Sequence, residues 1–197
     1  MADIAIDIVL RLPQKLEEKI IARNIKNFEA GKTKIKLGKT DYIPHISLLM
    51  GVIDEKDIGN IAKQMQKISK QHNALTLSFD DEKDDSLSLT KSKQLLDLHK
   101  QLINELQKYL IDITVQDKMF VRNKQEQIPD EHKIYVKNFR TEHSLNLFKP
   151  HITTYARVPH NIDLNQKIIP TTLSIYQLGY SCTCRKLLCE TELKNHS

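Results

Sequence analysis

Two short segments of this chain carry nearly the same pattern, Pro44-His45-Ile46-Ser47 within YIPHISLLMG and Pro150-His151-Ile152-Thr153 within FKPHITTYAR. On an extended strand, side chains two apart project from one face, so His45 lies beside Ser47 and His151 beside Thr153. Each motif therefore offers an imidazole next to a hydroxyl. With an ordinary pKa of about 6.5, an imidazole is available near neutral pH both as a neutral base and as a charged acid. Two such strands side by side about a pseudo-twofold axis would face two imidazoles across a groove, with two hydroxyls between them. That set suits in-line attack on a phosphodiester: one histidine removes the nucleophile's proton while the other protonates the departing oxygen. The hydroxyls would donate to the non-bridging oxygens as charge moves onto them. This chemistry asks for no metal, and neither motif shows the His-x-x-x-His spacing of a metalloprotease helix.

For either motif alone, a structural histidine hydrogen-bonded in a sheet is the plainer reading, and it is the repeat that favours chemistry. His72, His132, His143, His160 and His196 have no such repeat and read as surface or loop residues.

The elements that must position the motifs follow from periodicity. DIAIDIVLRL sets Ile4, Ile6, Ile8 and Leu10 against Asp3 and Asp7, which predicts a half-buried strand. After Pro13, the spacing of Leu16, Ile20, Ile21, Ile25 and Phe28 predicts an amphipathic helix closed by Gly31. The basic stretch KTKIKLGKTD then leads into the first motif strand, and Asp54 is placed to cap a second helix with Ile58, Ile61, Met65 and Ile68 on one face. ALTLSF and SLSLT read as strands on either side of a solvated hairpin tip, DDEKDD. Residues 91–110 show the strongest helical period, with His99 on the apolar face as a core residue. IDITVQDKMFVRNKQEQIP is the candidate connection between two lobes, and a short helix after Pro129 precedes the second motif. The last stretch gives two β-rich runs broken near Gly179. Helices mixed with hairpins predict an α+β fold rather than a doubly wound parallel sheet.

A length of 197 residues, 40% hydrophobic and 28% charged, suits one domain over 1–197 built of two intimately packed lobes. The net charge of +5 suits an anionic ligand such as a phosphate ester, and it lacks the dense basic arm of a duplex-binding protein. MADIAIDIVLRLPQKLEE has acids among its apolar residues, so neither a secretory signal nor a membrane span is expected and a cytoplasmic location is. Cys182, Cys184 and Cys189 are odd in number and bunched in a strand-like segment without a Cys-x-x-Cys knuckle, which points to reduced thiols rather than disulfides or a zinc site.

With its ordered pair of His-x-Ser/Thr motifs, His45-Ile46-Ser47 and His151-Ile152-Thr153, the chain resembles the two-histidine (2H) phosphoesterase superfamily over nearly its whole length. Its branch looks like that of the 2′-5′ RNA ligases and RNA 2′,3′-cyclic phosphodiesterases. The resemblance implies a bilobal α+β fold, with antiparallel sheets and flanking helices around a central groove, and metal-independent chemistry without a cofactor. The partners implied are RNA ends, oligonucleotides or nucleotides bearing a 2′,3′-cyclic phosphate or a 2′-5′ linkage, hydrolysed or reversibly ligated by a monomer. It assigns His45 as the acid that protonates the leaving 3′ oxygen, His151 as the base that activates water, and Ser47 and Thr153 as phosphate-binding. The family often has an arginine five residues after the second histidine. Here that position is Ala156 and Arg157 follows it.

Tyr42, Phe120, Tyr155 and Tyr180 are the aromatics to consider for stacking a base. Lys32, Lys34, Lys36 and Lys39 could meet backbone phosphates, with Arg157 and Arg185 better placed. The alternative from another class is a module that holds RNA ends or nucleotides in the same groove with little or no turnover.

Overall fold

The computed structural model describes residues 2–83, 85–123, 126–155 and 162–194. Its strands are β1 (Asp3–Arg11), β2 (His45–Asp54), β3 (Leu77–Lys83), β4 (Ser86–Leu89), β5 (His151–Thr153), β6 (Lys167–Ile168), β7 (Thr172–Leu178) and β8 (Cys184–Glu192). They form one eight-stranded antiparallel sheet in the order β6-β3-β4-β5-β2-β1-β7-β8. The order places four strands on each side of the β5–β2 seam, and with the helices it makes the fold α+β, as the resemblance implies.

Helices α1 (Gln14–Glu29), α2 (Ile58–Ser69) and α3 (Lys93–Leu106) cover one face. There Leu16 and Ile20, Ile61 and Met65, and Leu98 and Leu102 pack with Ile4, Ile6, Ile8 and Leu10 of β1 in the main core. Helix α4 (Asp130–Glu142) and the preceding connection cover part of the other face, where Val136, Phe139, Val115, Met119, Phe120 and Ile128 meet Ala5, Met50 and Val52 in a second core. Strand β1 is therefore buried on both faces, not half-buried as its alternation suggests. Asp7 points away from the aliphatic stripe yet is 0% exposed, because the face it shares is roofed rather than open to water. Among the described residues no helix is long and apolar enough to cross a membrane.

A β-bulge sets the phase of the first motif. Ile8 pairs with Leu49 but Val9 pairs with Ser47, so Leu48 is the extra residue. The bulge lets His45 and Ser47, and beyond it Met50 and Val52, share one face with Ala5, Asp7 and Val9. An orphan carbonyl is the usual cost of a bulge. Here the Leu48 oxygen lies 2.8 Å from Nδ1 of the buried His99, whose Nε2 accepts the Leu145 N–H at 2.8 Å. A carbonyl accepts and an N–H donates, so His99 is the neutral Nδ1–H tautomer, and burial holds its pKa below the ordinary 6.5. Its ring stacks on Phe148 at 3.9 Å, which ties the bulge of the first motif to the approach of the second.

Replacing His99→Leu strands both backbone groups away from water, so urea titration should show a loss of about 2–4 kcal/mol. The sign with pH also follows. A histidine neutral when folded and titrating near 6.5 when unfolded contributes stability that is full above that pH and lost as pH falls toward its lower folded pKa. The wild type should lose this share on acidification and the leucine variant should not.

Candidate active site

Ile46 of β2 pairs with Ile152 of β5. In an antiparallel ladder this register sets His45 opposite Thr153 and Ser47 opposite His151, with all four side chains on one face. On the far side of β5, Ser88 and Ser86 of β4 pair with His151 and Thr153. The face shared by the two motifs is thus a strip of two imidazoles and several hydroxyls crossing the seam between the sheet halves.

Both imidazoles are held by the same local device. His45 Nδ1 lies 2.7 Å from the Ile43 carbonyl, and His151 Nδ1 lies 2.9 Å from the Lys149 carbonyl, each two residues back across the motif proline. Since a carbonyl can only accept, each Nδ1 carries a proton and each Nε2 is left for chemistry. Their surroundings differ, however. The His45 side chain is 13% exposed and sits over Asp7, with Nε2 3.4 Å from Asp7 Oδ2 and 3.7 Å from Cys184 Sγ. His151 is the more open of the two. Ser47 Oγ donates to the same Asp7 oxygen at 2.6 Å, while the second oxygen, Oδ1, is buried without a hydrogen-bond partner among the described residues.

Charge follows geometry. Burial works against a charged His45, but Cys184 and the Asp7 carboxylate beside Nε2 raise its pKa well above 6.5. Burial raises Asp7 as well, opposed by His45 and Ser47, and pushes the Cys184 thiol up. In an NMR titration the His45 ring should therefore hold its proton to higher pH than a free imidazole. Asp7→Asn should move that midpoint down, and an unmoved midpoint would mean the carboxylate does not hold the charge.

Asp7 and Cys184 were not identified as site residues in the sequence. Asp7 reads as the solvent side of an alternating strand. Cys184 arrives because the start of β8 folds back to bridge Ile43, two residues before His45, a contact with no local signature. Tyr135 of α4 is a third, its phenol pushed up to about 12 by burial.

Two cavities flank the motif face, of about 680 and 520 Å³, and both are lined by Ser47, Tyr135 and His151. The larger runs past Ser86, Ser88, Lys149 and His143, the smaller past His45, Thr153, Tyr155, Cys182 and His132. His132 and His143 thus line the groove, where the sequence suggests mere surface, because α4 lies over it.

The remaining candidates divide. Tyr155 lines the smaller cavity and donates its hydroxyl to the Ser181 carbonyl at 3.1 Å. Phe120 is 4% exposed in the second core, so its ring offers no face to a base. One face of Tyr42 is covered by the Arg185 guanidinium at 4.2 Å, and its hydroxyl joins Arg185 and Glu126. Arg185 is itself held by Asp41 and Glu126, away from the groove. Arg157 lies outside the described residues, and none of Lys32, Lys34, Lys36 and Lys39 lines either cavity.

The sequence matches no protein-family model and no curated protein. Solved structures do match in fold. The crystal structure of E. coli LigT in apo form superposes with a TM-score of 0.55 at 14% identity, covering 98% of this chain and 99% of that one. The E. coli LigT complex with 3′-AMP gives 0.55 at 15% over the same shares. TT0787 of Thermus thermophilus gives 0.57 at 12%, covering 98% of this chain and 100% of that one. The chain shares the fold of E. coli LigT over nearly the full length of both chains, as the resemblance of its paired motifs implies.

Proposed function

We propose that the protein is a two-histidine phosphodiesterase that opens 2′,3′-cyclic phosphates, or cleaves 2′-5′ linkages, at RNA ends or in nucleotides. The observation that carries this reading is the Ile46–Ile152 register, which sets each imidazole across from the other motif's hydroxyl. The two flanking cavities add to it, since a phosphodiester has two arms and the motif face lies between two spaces that share its residues. The fold neighbour LigT has been crystallised with 3′-AMP and with phosphate, ligands of the chemistry proposed here.

The roles divide by environment. His151, open to the groove with Nδ1–H tied back, presents the Nε2 lone pair and takes a proton from water as the water oxygen attacks phosphorus. The bond from phosphorus to the 3′ oxygen breaks, and that oxygen takes the Nε2 proton of His45. The product is a 2′-phosphate, and the histidines have exchanged protonation states. Asp7 acts as a positioning residue that keeps His45 charged. At 3.4 Å it lies beyond ordinary hydrogen-bond length, so it favours the charge without locking the proton. Ser47 and Thr153 donate to the non-bridging oxygens, and for this the Ser47 hydroxyl turns away from Asp7.

The test is incubation in chelator with nucleoside 2′,3′-cyclic phosphates and 2′-5′ dinucleotides, reading the phosphate position in the products. Turnover to a 2′-phosphate is expected with the cyclic substrate. Tight binding of these compounds without turnover would make the chain a binding module and overturn the proposal.

A further inference from the structure

Asp7, His45 and Cys184 come from three different strands, β1, β2 and β8, and bring a carboxylate oxygen, an imidazole nitrogen and a sulfur within 4.8 Å of one another. The trio does not suit a thiol nucleophile. Cys184 is 0% exposed, and the carboxylate and the sulfur both address Nε2, whereas a nucleophilic triad needs the carboxylate on Nδ1. The two separations from the imidazole nitrogen match edges of a tetrahedron. With zinc–nitrogen and zinc–oxygen bonds of about 2.1 Å and a zinc–sulfur bond of about 2.3 Å, tetrahedral angles put nitrogen about 3.4 Å from oxygen and about 3.6 Å from sulfur. The separations here are 3.4 and 3.7 Å.

Two further observations point the same way. Among the described residues Asp7 Oδ1, a fully buried carboxylate oxygen, has no hydrogen-bond partner, so the carboxylate has coordinating capacity that they leave unused. The His45 Nδ1–H bond to the Ile43 carbonyl is the outer contact that metal-ligating histidines typically make, and it leaves Nε2 as the ligand. Sulfur, nitrogen and oxygen donors together select zinc or a similar borderline ion over magnesium or calcium.

We propose that Asp7, His45 and Cys184 form an inhibitory site for a zinc-like divalent ion, entered from the smaller cavity, with its fourth position open to water or a phosphate oxygen. Coordination displaces the thiol proton of Cys184 and any proton on His45 Nε2 into solvent. An Nε2 bonded to metal has no proton to give, so occupancy removes the acid of the proposed reaction. The inhibition rests on that assignment; the binding does not.

Cobalt(II) added to the metal-free protein tests binding without reference to turnover. A thiolate-to-cobalt charge-transfer band is expected, abolished by competing zinc and absent in Cys184→Ser, while Cys182→Ser and Cys189→Ser keep it. Zinc affinity should fall by at least about a hundredfold in Cys184→Ser. Zinc should also shift the His45 Nε2 resonance in the wild type, a readout that needs no variant to fold. No band, a band that survives in folded Cys184→Ser, or an unmoved His45 resonance would each overturn the site. In an active enzyme, stoichiometric zinc should stop turnover and chelator restore it. Loss of turnover supports the full proposal, whereas a full band at Cys184 with turnover unchanged overturns the inhibition and the acid role of His45 while leaving the site standing.

Discussion

His45→Ala and His151→Ala should each lower turnover of a nucleoside 2′,3′-cyclic phosphate by at least about a hundredfold, the usual contribution of a general acid or base. Circular dichroism should show both variants folded, since neither side chain belongs to the apolar clusters of the core. The two losses should part company when the leaving group changes. A nitrophenolate departs without a proton, so His45→Ala should recover most of its rate on a nitrophenyl phosphodiester. His151→Ala should stay impaired on both, because water must still be deprotonated. A reversed pattern would exchange the roles, and retained activity on the cyclic substrate in either folded variant would remove that histidine from the chemistry.

Thr153→Val should lower kcat by about a hundredfold or more with a smaller change in KM, as expected when a donor acts mainly on charge that develops in the transition state. Valine keeps the shape of threonine and a β-branched strand residue. Ser47→Ala should cost a comparable factor and carry a second signature. Removing the hydroxyl takes a hydrogen bond from Asp7, which leaves the carboxylate more dependent on His45. The pKa of His45 should then rise further, which Thr153→Val should not produce. Equal kcat for Thr153→Val and wild type would dismiss the hydroxyl as a phosphate ligand.

The elements were legible where local chemistry decides them. Pro13 stands at the N-cap of α1, Gly31 follows its end in a left-handed conformation, and Gly179 separates β7 from β8, whereas Asp54 accepts the Lys56 N–H to cap the 3-10 turn Glu55–Asp57 rather than α2 itself, whose N-cap position is Asp57. The motif histidines were legible because the chain states them twice. What was not legible depends on what lies above a residue rather than beside it in sequence. Asp7 alternates against isoleucines as a solvent-facing residue would, and only the roof over that face makes it a buried carboxylate. Phe120 and Tyr42 had the right type for a base platform, but one is enclosed by the second core and the other is faced by Arg185. The bulge at Leu48 sits in the run Leu48-Leu49-Met50, where an aliphatic on either face leaves the phase undetermined.

The β5–β2 seam has a consequence for when the proposed catalytic site exists at all. The register that brings the imidazoles together is a single Ile46–Ile152 pair, about a hundred residues apart in sequence, and β5 is only three residues long. Contacts this distant in sequence are among the last for which chain-closure entropy is recovered in folding, and short, weakly paired strands open at lower free energy than the core around them. Were the seam parted, the pairings internal to each half, β1–β2 and β3–β4 among them, would not themselves be broken. In that state one imidazole and one hydroxyl remain on either side and no phosphate can be gripped between them. On the proposed mechanism, activity would report the closure of the molecule: a chain whose halves had come apart would be not a slower catalyst but two inert surfaces.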